Sequence, residues 1–411
     1  MKKILALILA LCMVFALWAC GGDTNEPADT QEPSDTQEPS DTQEPSDSEN
    51  PVVTIGVFEP ASGDNGAGGK QETLGIRYAN YMQPTVEIGG VTYDVELKIV
   101  DNASSNDKAP TAAAELVSAG SSIVLGSYGS SVAIAGAPTF GAAGIPVLGV
   151  TCTNPQVTDG NDFYFRICYL DPFQGTVLAN YAYKELGVTK AYCLSKLGDD
   201  YSGGLSHYFV EAFEALGGEC VVATAPDGNA DFTSYIATAM NEGCGVFYAP
   251  VSIEWAQLII DQAAAQGMTM PMLAGDTWDS GIILQAATGK DVEITVTTFY
   301  QEGGNEEFDA GFKAWVNSDS ELLETNGGDD TISAVSAMGY DAYFVALEAM
   351  KAAGSVEPAD ILAALPDVTY TGVSGDIKFD EIGDAIRDVA YVKGVNTEDG
   401  TWNFITVQGV D

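Results

Sequence analysis

Three hydroxyl side chains follow two short apolar runs, at positions that suit the binding of a small anion. Ser130 comes after Ile123–Leu125, and Thr151 and Thr153 come after residues 147–148. Both runs are typical of buried parallel strands, and open α/β sheets bind ligands at the carboxyl ends of such strands. Hydroxyls together with free N–H groups at a helix N-terminus suit a carboxylate. At this point the alternative stays open that these are ordinary capping and turn residues.

The chain offers little material for catalysis, for a metal or for a nucleotide. His207 is the only histidine, so any Ser-His-Asp or Cys-His arrangement would have to include it, and it lies among ordinary helix residues. The glycine-rich segment 63–69 matches neither a P-loop nor a dinucleotide fingerprint. Residues 227–231 begin like a calcium loop but lack its later Gly and Glu ligand positions. We therefore expect no enzyme activity, no metal and no cofactor, with 63–69 as a loop at the edge of a cleft.

The cysteines do not indicate a metal site or a full disulfide framework. Two of the seven, Cys12 and Cys20, lie near the start of the chain, and no CxxC spacing occurs. The others are Cys152, Cys168, Cys193, Cys220 and Cys244. Cys193 and Cys220 fall in successive predicted strands, so a disulfide between them stays open. Buried reduced thiols that act as small apolar side chains are favoured.

The first fifty residues are predicted to be an export signal and a tether. A basic start, an apolar run over residues 4–15 and the sequence Leu-Trp-Ala-Cys at 17–20 are typical of a secretory signal, and the run is too short to span a bilayer. The likeness to bacterial lipoprotein signals implies cleavage after residue 19 and lipid on Cys20; an uncleaved anchor is the alternative. Residues 29–46 repeat Asp-Thr-Gln-Glu-Pro-Ser three times, within a segment that has acidic but no basic residues. We expect residues 20–50 to be a lipidated Cys and a disordered acidic tether.

The charge of the chain excludes one class of partner. The formal net charge is −43 at pH 7, and most of it lies outside the leader and the repeats. Such a body repels nucleic acid and anionic lipid surfaces. We expect no nucleic-acid partner.

Strand and helix patterns alternate from residue 52 to about 299, followed by a long helix over 331–353 and short strands at 377–379, 389–395 and 404–407. This alternation predicts parallel sheets with helices on both faces. A chain of 411 residues is too long for one small core, so two lobes are expected. Ser130 is predicted to be the N-cap of a helix over 132–142.

Several segments, all in the same order, resemble the type I periplasmic-binding-protein family. More closely, they resemble the branched-chain amino-acid (Leu/Ile/Val) solute-binding proteins of ABC importers. The segments are 55–63, 125–131, 144–147, 166–175, 339–342 and 375–380, so the likeness extends over about 52–407. It implies two doubly wound α/β lobes joined by three crossovers, with the ligand in the cleft between them. Lobe 1 would be 52–170 and 300–374, and lobe 2 would be 171–299 and 375–411.

The resemblance also implies which residues hold the head group of an amino acid. Ser130, Thr151 and Thr153 match positions that bind the α-carboxylate and the α-amino group, with Cys152 between the two threonines. Asp276, followed by Thr277, matches the acid that pairs the α-ammonium, and Asp279 is the alternative. A buried ammonium needs such a carboxylate, because an unpaired charge in a closed cleft is costly.

Aromatic side chains are expected to line the rest of the pocket. Tyr201 matches a residue that closes on the ligand from lobe 2, and Tyr128, Phe173 and Trp278 are expected to join it. The alternative for Tyr128 and Phe173 is packing inside one lobe. Residues 67–68 are Ala-Gly, where the family often has an aromatic residue, so a preference for leucine-sized side chains does not follow.

Together these features predict an extracytoplasmic, lipid-anchored solute-binding component of an ABC importer. It would capture a small molecule, an apolar amino acid such as a branched-chain one, and deliver it to the permease subunits. The same scaffold could instead bind an amide, urea or an aromatic acid. A ligand-sensing module of a signalling system and a hydrolase are the alternatives from other classes.

Overall fold

Short buried strands alternate with helices through residues 50–409, the part of the chain that the computed structural model describes. The strands are β1 (Val52–Glu59), β2 (Thr85–Ile88), β3 (Val91–Asp101), β4 (Ile123–Leu125), β5 (Val147–Gly149), β6 (Tyr164–Arg166), β7 (Lys190–Lys196), β8 (Glu219–Ala225), β9 (Val246–Tyr248), β10 (Met272–Ala274), β11 (Ile294–Thr298), β12 (Thr369–Gly372), β13 (Gly375–Lys378), β14 (Ala390–Asn396) and β15 (Thr401–Gln408). The helices are α1 (Gly66–Met82), α2 (Ala109–Ser118), α3 (Ser130–Ala143), α4 (Asp171–Asn180), α5 (Asp200–Ala215), α6 (Thr233–Asn241), α7 (Ile253–Ala265), α8 (Gly281–Ala287), α9 (Glu306–Val316), α10 (Ser320–Thr325), α11 (Ala334–Ala353) and α12 (Pro358–Ala364).

Two sheets form the centres of two lobes. The first has the order β2-β3-β1-β4-β5-β6, and all of its pairs are parallel except β2–β3. The second has the order β15-β14-β11-β10-β9-β7-β8, in which only β14 and β15 run antiparallel to their neighbours. The predicted fold class, two α/β lobes of the type I periplasmic-binding-protein kind, is confirmed.

Both faces of each sheet are covered at its centre, which explains why central strands such as β4, β5 and β9 are buried along their whole length. In β4, Ile123 and Leu125 belong to one core cluster and Val124 to another. In β7, Leu194 and Cys193 likewise pack in different clusters. Successive side chains of a strand point to opposite faces, so each sheet has helices on both sides and is doubly wound.

The chain passes between the two lobes three times. It leaves the first sheet after β6, and it leaves the second sheet after β11. The helices that follow β11 return to the first lobe, because Phe308 and Phe312 of α9 pack against Tyr78 of α1. The third passage leads to β14.

This third passage comes later than residue 375, where the sequence analysis placed it. β13 pairs with β12, and Asp384 bridges to Arg166 at the end of β6 as its buried ion-pair partner. These contacts hold residues 375–384 against the first lobe. The second lobe therefore resumes between Asp384 and β14.

Helix α11 packs closely across α1 through two glycines. A Cβ atom on Gly75 would overlap the backbone oxygen of Ser336, and one on Gly339 would overlap that of Glu72. The close approach also allows Ser336 Oγ to donate to the Gln71 carbonyl at 2.8 Å. The crossing fixes the position of Glu72 on the side of α1 that faces the cleft.

The start of α3 differs from the prediction. Gly129, with an extended backbone, is the N-cap, and Ser130 is the first helical residue. Ser130 Oγ does not cap the helix, since it accepts a hydrogen bond from the backbone N–H of Asn154 at 3.2 Å. The serine thus links the end of β4 to the turn after β5.

Candidate ligand-binding site

The predicted hydroxyls lie at the carboxyl ends of β4 and β5, where the first lobe faces the second. Ser130, Thr151 and Thr153 are all buried, at no more than 2% exposure. The Ser130–Asn154 hydrogen bond joins the two strand ends, as parallel neighbours at one sheet edge require. The three residues are therefore brought together, and what they bind stays a prediction.

Thr151 contacts a pair of acidic residues that the sequence analysis did not assign. Its Oγ1 donates to Glu72 Oε2, and the carboxyl group of Glu72 faces that of Glu59, the last residue of β1. Burial raises the pKa of Glu72 to about 7 and that of Glu59 well above its usual value, and the charge of Glu72 raises the latter further. Burial and the charge of the neighbouring acid therefore both work against the ionisation of this pair when no cation is bound.

Thr153 lies beside a third buried acid. The backbone N–H of Asp171, at the start of α4, donates to the Thr153 carbonyl at 3.0 Å. Burial raises the pKa of Asp171 well above its usual value, and the Thr153 hydroxyl partly offsets this effect. Thr153 is thus close to the point where the chain first crosses between the lobes.

The second lobe contributes Asp276, in a single 3-10 turn after β10. It is 1% exposed, and its Oδ1 accepts a hydrogen bond from Tyr201 Oη at 3.2 Å. Burial raises the pKa of Asp276 to about 6, although hydrogen bonds from Gln174 and Tyr201 favour its charged form. None of the ion pairs formed within residues 50–409 includes Asp276.

Asp279, the alternative acid, is already paired inside the protein. Its Oδ2 lies 2.8 Å from Lys393 Nζ on β14 and accepts from the Thr298 hydroxyl. Asp279 and Lys393 are both almost fully buried. A carboxylate that neutralises a buried lysine is not free to pair a ligand ammonium, so the geometry favours Asp276.

Two of the other predicted side chains face the same region as Asp276. Thr277 Oγ1 lies 3.2 Å from Tyr201 Oη and donates to the Val251 carbonyl at 3.0 Å. Tyr128, between β4 and α3, donates from its backbone N–H to Glu59 Oε2 at 2.7 Å. A small cavity between the lobes is lined in part by Tyr128, Tyr201, Thr277 and Val251.

Three predicted residues point elsewhere. Trp278 belongs to the core cluster of the second lobe, where its Nε1 donates to the Val251 carbonyl at 3.1 Å. The Cys152 side chain belongs to a core cluster of the first lobe, and burial raises the pKa of its thiol to about 12. Phe173 is half-buried beside Tyr169, with ring centroids 5.4 Å apart. Because neighbours in a tight turn project in different directions, residues adjacent to a site residue need not face the ligand.

The two lobes touch each other around this region. Lys196 of β7 pairs with Asp64 of the loop before α1, and the backbone N–H of Asp200 donates to Ser131 Oγ at 2.7 Å. The cavity lined by Tyr128 and Tyr201 measures only about 20 Å³. Ligand sites for small molecules usually measure roughly 300–1,000 Å³, so the lobes have to move apart to admit a ligand. Of the segment 63–69, predicted to be a cleft-edge loop, only residues 63–65 precede α1, and residues 66–69 form its first turn.

Two other candidates, His207 and Asp227, are exposed and form ion pairs at the surface. His207 is exposed on α5, and its Nε2 lies 3.8 Å from Glu211 one turn further along. Asp227, in the segment that resembled a calcium loop, pairs with Lys196 at 2.9 Å. In the part of the chain that the structure describes, no group of three or more His, Cys, Asp or Glu side chains could hold a metal ion. Cys152, Cys168, Cys193, Cys220 and Cys244 are free thiols.

Two predictions fall outside the described residues. These are the signal peptide at 1–19 and the lipidated Cys20 with its acidic tether. Among residues 50–409, no helix is long and apolar enough to cross a bilayer.

The sequence analysis missed Glu59, Glu72, Asp171 and Glu254 as residues of this region. A signal was present in two of them. Glu59 ends a strand that is buried from Ile55 onward, and Glu72 lies on the face of α1 that carries its buried residues. A charged residue at a position where the pattern predicts burial is unusual unless it is paired or functional.

A cleft between two doubly wound lobes, with hydroxyls on one side and an unpaired acid on the other, is the architecture of bilobal solute-binding proteins. A periplasmic binding protein family model matches residues 52–400. The chain therefore belongs to the periplasmic binding protein family, in its type I branch, and family membership implies an extracytoplasmic location.

Individual relatives agree with this assignment. Leu/Ile/Val-binding protein homolog 1 of Brucella suis is 28% identical over 363 residues, which cover 86% of this chain and 93% of that protein. The crystal structure of the leucine-binding protein LivK from Thermotoga maritima is 31% identical, covers 87% of this chain and 99% of its own, and superposes with a TM-score of 0.76. A solute-binding protein of an ABC transporter from R. palustris, solved with benzoate, is 20% identical and covers 87% of this chain and 96% of its own, with a TM-score of 0.74. This last likeness shows the fold alone.

Proposed function

We propose that the protein is the extracytoplasmic solute-binding lipoprotein of an ABC importer and that it captures an amino acid between its lobes without catalysis. The closed form then docks on the permease. The names of the Brucella and Thermotoga relatives, a Leu/Ile/Val-binding protein homolog and a leucine-binding protein, support an amino-acid ligand.

The observation that carries the proposal is the unpaired acid Asp276, which lies across the cleft from the hydroxyls of Ser130, Thr151 and Thr153. A zwitterion matches this arrangement, because its ammonium needs a buried carboxylate and its carboxylate needs donors. The raised pKa of Asp276 reflects the burial of a carboxylate without a cation. A bound ammonium supplies that cation.

Lobe closure is the working motion in this proposal. Lobe 1 consists of about 52–170 and 300–384, and lobe 2 consists of about 171–299 and the chain from about 385 onward. Lys196–Asp64 and Asp200–Ser131 are contacts that form when the lobes close. Cys20 with its lipid and the acidic tether would hold this body at the outer face of the cytoplasmic membrane.

The test compares two variants by calorimetric titration with an amino acid and with its deaminated analogue. Asp276→Ala leaves a buried ammonium unpaired, a loss of roughly 3–5 kcal/mol, which corresponds to about two to four decades of affinity. Thr153→Val removes one of several donors and should cost on the order of 1–3 kcal/mol. The two variants should differ less in their affinity for the deaminated analogue than in their affinity for the amino acid.

Three results would contradict the proposal. Asp276→Ala protein that binds the amino acid as tightly as the unchanged protein would remove the acid from the site. Chemical turnover of the bound molecule, measured by mass spectrometry after incubation, would point to an enzyme. Tighter binding of an aromatic acid or an amide than of any amino acid would assign the same cleft to that ligand class.

A further inference from the structure

Several buried side-chain oxygens beside the cleft, three in the first lobe and one in the second, have no hydrogen-bond partner and are not reached by water. They are Tyr128 Oη, Glu59 Oε1, Glu72 Oε1 and Glu254 Oε2. Tyr128, Glu59 and Glu72 are each more than nine-tenths buried, at 6%, 2% and 0% exposure. Such groups in a folded protein call for an explanation, because leaving them unpaired destabilises the native state.

The side chain of Tyr128 packs against the first turn of α1, which Glu254 also contacts. The ring of Tyr128 lies directly against Gly68, where a Cβ atom would overlap it, so the phenol fills the space above the first turn of α1. In the same turn, the backbone N–H of Ala67 donates to Glu254 Oε1 at 3.1 Å, so Glu254 of the second lobe reaches the same turn. The charges of Asp276, Glu254, Glu72 and Glu59 all act on the Tyr128 hydroxyl, whose pKa burial raises well above its usual value.

No basic side chain neutralises these acids. None of the ion pairs within residues 50–409 includes Glu59, Glu72 or Glu254. Lys70 is exposed on α1 and acts on Glu254 only through its charge. Among the described residues, no group of three or more His, Cys, Asp or Glu side chains is placed to hold a metal ion.

We propose that the ligand is an amino acid with a cationic side chain, and that Glu254, Tyr128 and the Glu59–Glu72 pair receive that cation while Asp276 pairs the α-ammonium. This inference rests on the proposed function, since it concerns the second end of the same ligand. All the unpartnered atoms are oxygens, and the carboxylate oxygens only accept hydrogen bonds. An ammonium or guanidinium carries only donors and is their chemical complement.

An aliphatic ligand side chain would not form hydrogen bonds with these oxygens. On closure it would cover the oxygens without pairing them, and carboxylates without partners are strongly disfavoured out of water. A site built to hydrogen-bond a polar group rejects the isosteric ligand that lacks it, because its own buried groups are then left unpaired.

The decisive experiment compares matched ligands by calorimetric titration of the full-length protein at pH 7.5. Lysine is compared with norleucine, and arginine with citrulline, so each pair differs mainly in charge. We expect the cationic member to bind at least about tenfold more tightly in each pair, the equivalent of one buried hydrogen bond or more. Leucine and glutamine complete the panel as the aliphatic and the amide alternatives.

Substitutions then locate the effect. Glu254→Gln and Glu59→Gln keep the shape of the side chain, and each should bring the lysine-to-norleucine ratio closer to one. Glu211→Gln, on the exposed face of α5, is the matched control and should leave the ratio unchanged. Melting curves without ligand show whether each variant is folded. If a variant does not fold, the affinity ratios of lysine to norleucine and of arginine to citrulline in the unchanged protein still test the proposal.

The outcomes separate the two claims. Norleucine or leucine binding as tightly as lysine would overturn the cationic assignment and leave an amino-acid binding protein. Glutamine binding more tightly than lysine would do the same in favour of an amide side chain. Binding of no amino acid at all would overturn the proposed function together with this inference.

Discussion

Replacing Asp276 by Asn should stabilise the ligand-free protein at alkaline pH and should also greatly weaken its binding of the amino acid. Burial raises the pKa of Asp276 from 3.8 to about 6. A shift of about two units corresponds to roughly 3 kcal/mol, since one unit is about 1.4 kcal/mol. Because the pKa is raised on folding, the stability that this carboxyl contributes is fully present below pH 3.8 and is lost as the pH rises through 6. At pH 8 the ionised Asp276 therefore destabilises the ligand-free fold by up to roughly 3 kcal/mol. The uncharged amide in the Asp276→Asn variant does not have this effect.

Asp279→Asn is the matched control, three residues away. Asp279 pairs with Lys393 at 2.8 Å, and removing the acid leaves a buried lysine unpaired. This should destabilise the protein by roughly 3–5 kcal/mol. Denaturant melts of both variants at pH 4 and pH 8 measure the stabilities, and calorimetric titration at pH 8 measures the affinities.

The expected pattern is specific. Asp276→Asn should be more stable than the unchanged protein at pH 8, should show almost no gain at pH 4, and should lose two to four decades of amino-acid affinity. In the unchanged protein, the affinity should fall about tenfold for each pH unit below 6, as Asp276 becomes protonated. A variant that is less stable at pH 8 and still binds the ligand normally would refute both the desolvation of Asp276 and its role at the ammonium.

Two further predictions concern closure and the anchor. Asp64→Asn removes the partner of Lys196 on the opposite lobe and should weaken ligand binding by up to about fivefold, with a smaller effect at high salt, because exposed ion pairs contribute little. Asp227→Asn removes the partner of Lys196 in the same lobe and should leave the affinity measured by calorimetry unchanged. Equal effects of the two variants would contradict a role of the Lys196–Asp64 pair in closure. Cys20→Ser should release the protein into the medium with unaltered ligand affinity, and cell fractionation that finds the variant still in the membrane would contradict the lipid anchor.

Much of the fold could be predicted because strands buried on both faces have a simple pattern. The predicted strand Ile123–Leu125 agrees with the structure residue for residue. β6 was missed, because its sequence Tyr-Phe-Arg ends in a charged residue. Arg166 is nonetheless fully buried, since Asp384, 218 residues away, neutralises it and the carbonyls of Cys152 and Asn154 accept from Nη1. No local pattern shows a partner so distant in the chain.

The sequence indicated which residue types could form a site, but it did not indicate the directions in which their side chains point. The turn at 276–278 was expected to contribute both Asp276 and Trp278 to the site, but Trp278 points into the core and Asp276 does not, because consecutive residues of a 3-10 turn face different sides. The choice between Asp276 and Asp279 likewise depended on Lys393, whose position on β14 no spacing in the sequence indicates.

The distribution of buried charge separates the acids that stabilise the fold from those that face the cleft. Asp384 and Asp279 each have a buried basic partner, Arg166 and Lys393, so their charges are neutralised whether or not a ligand is present. Asp276 and the Glu59–Glu72 pair are equally buried but have none, and burial raises their pKa values. An acid that the native protein leaves without a cation is destabilising unless a ligand supplies one. The pH dependence of ligand binding should therefore follow these cleft acids.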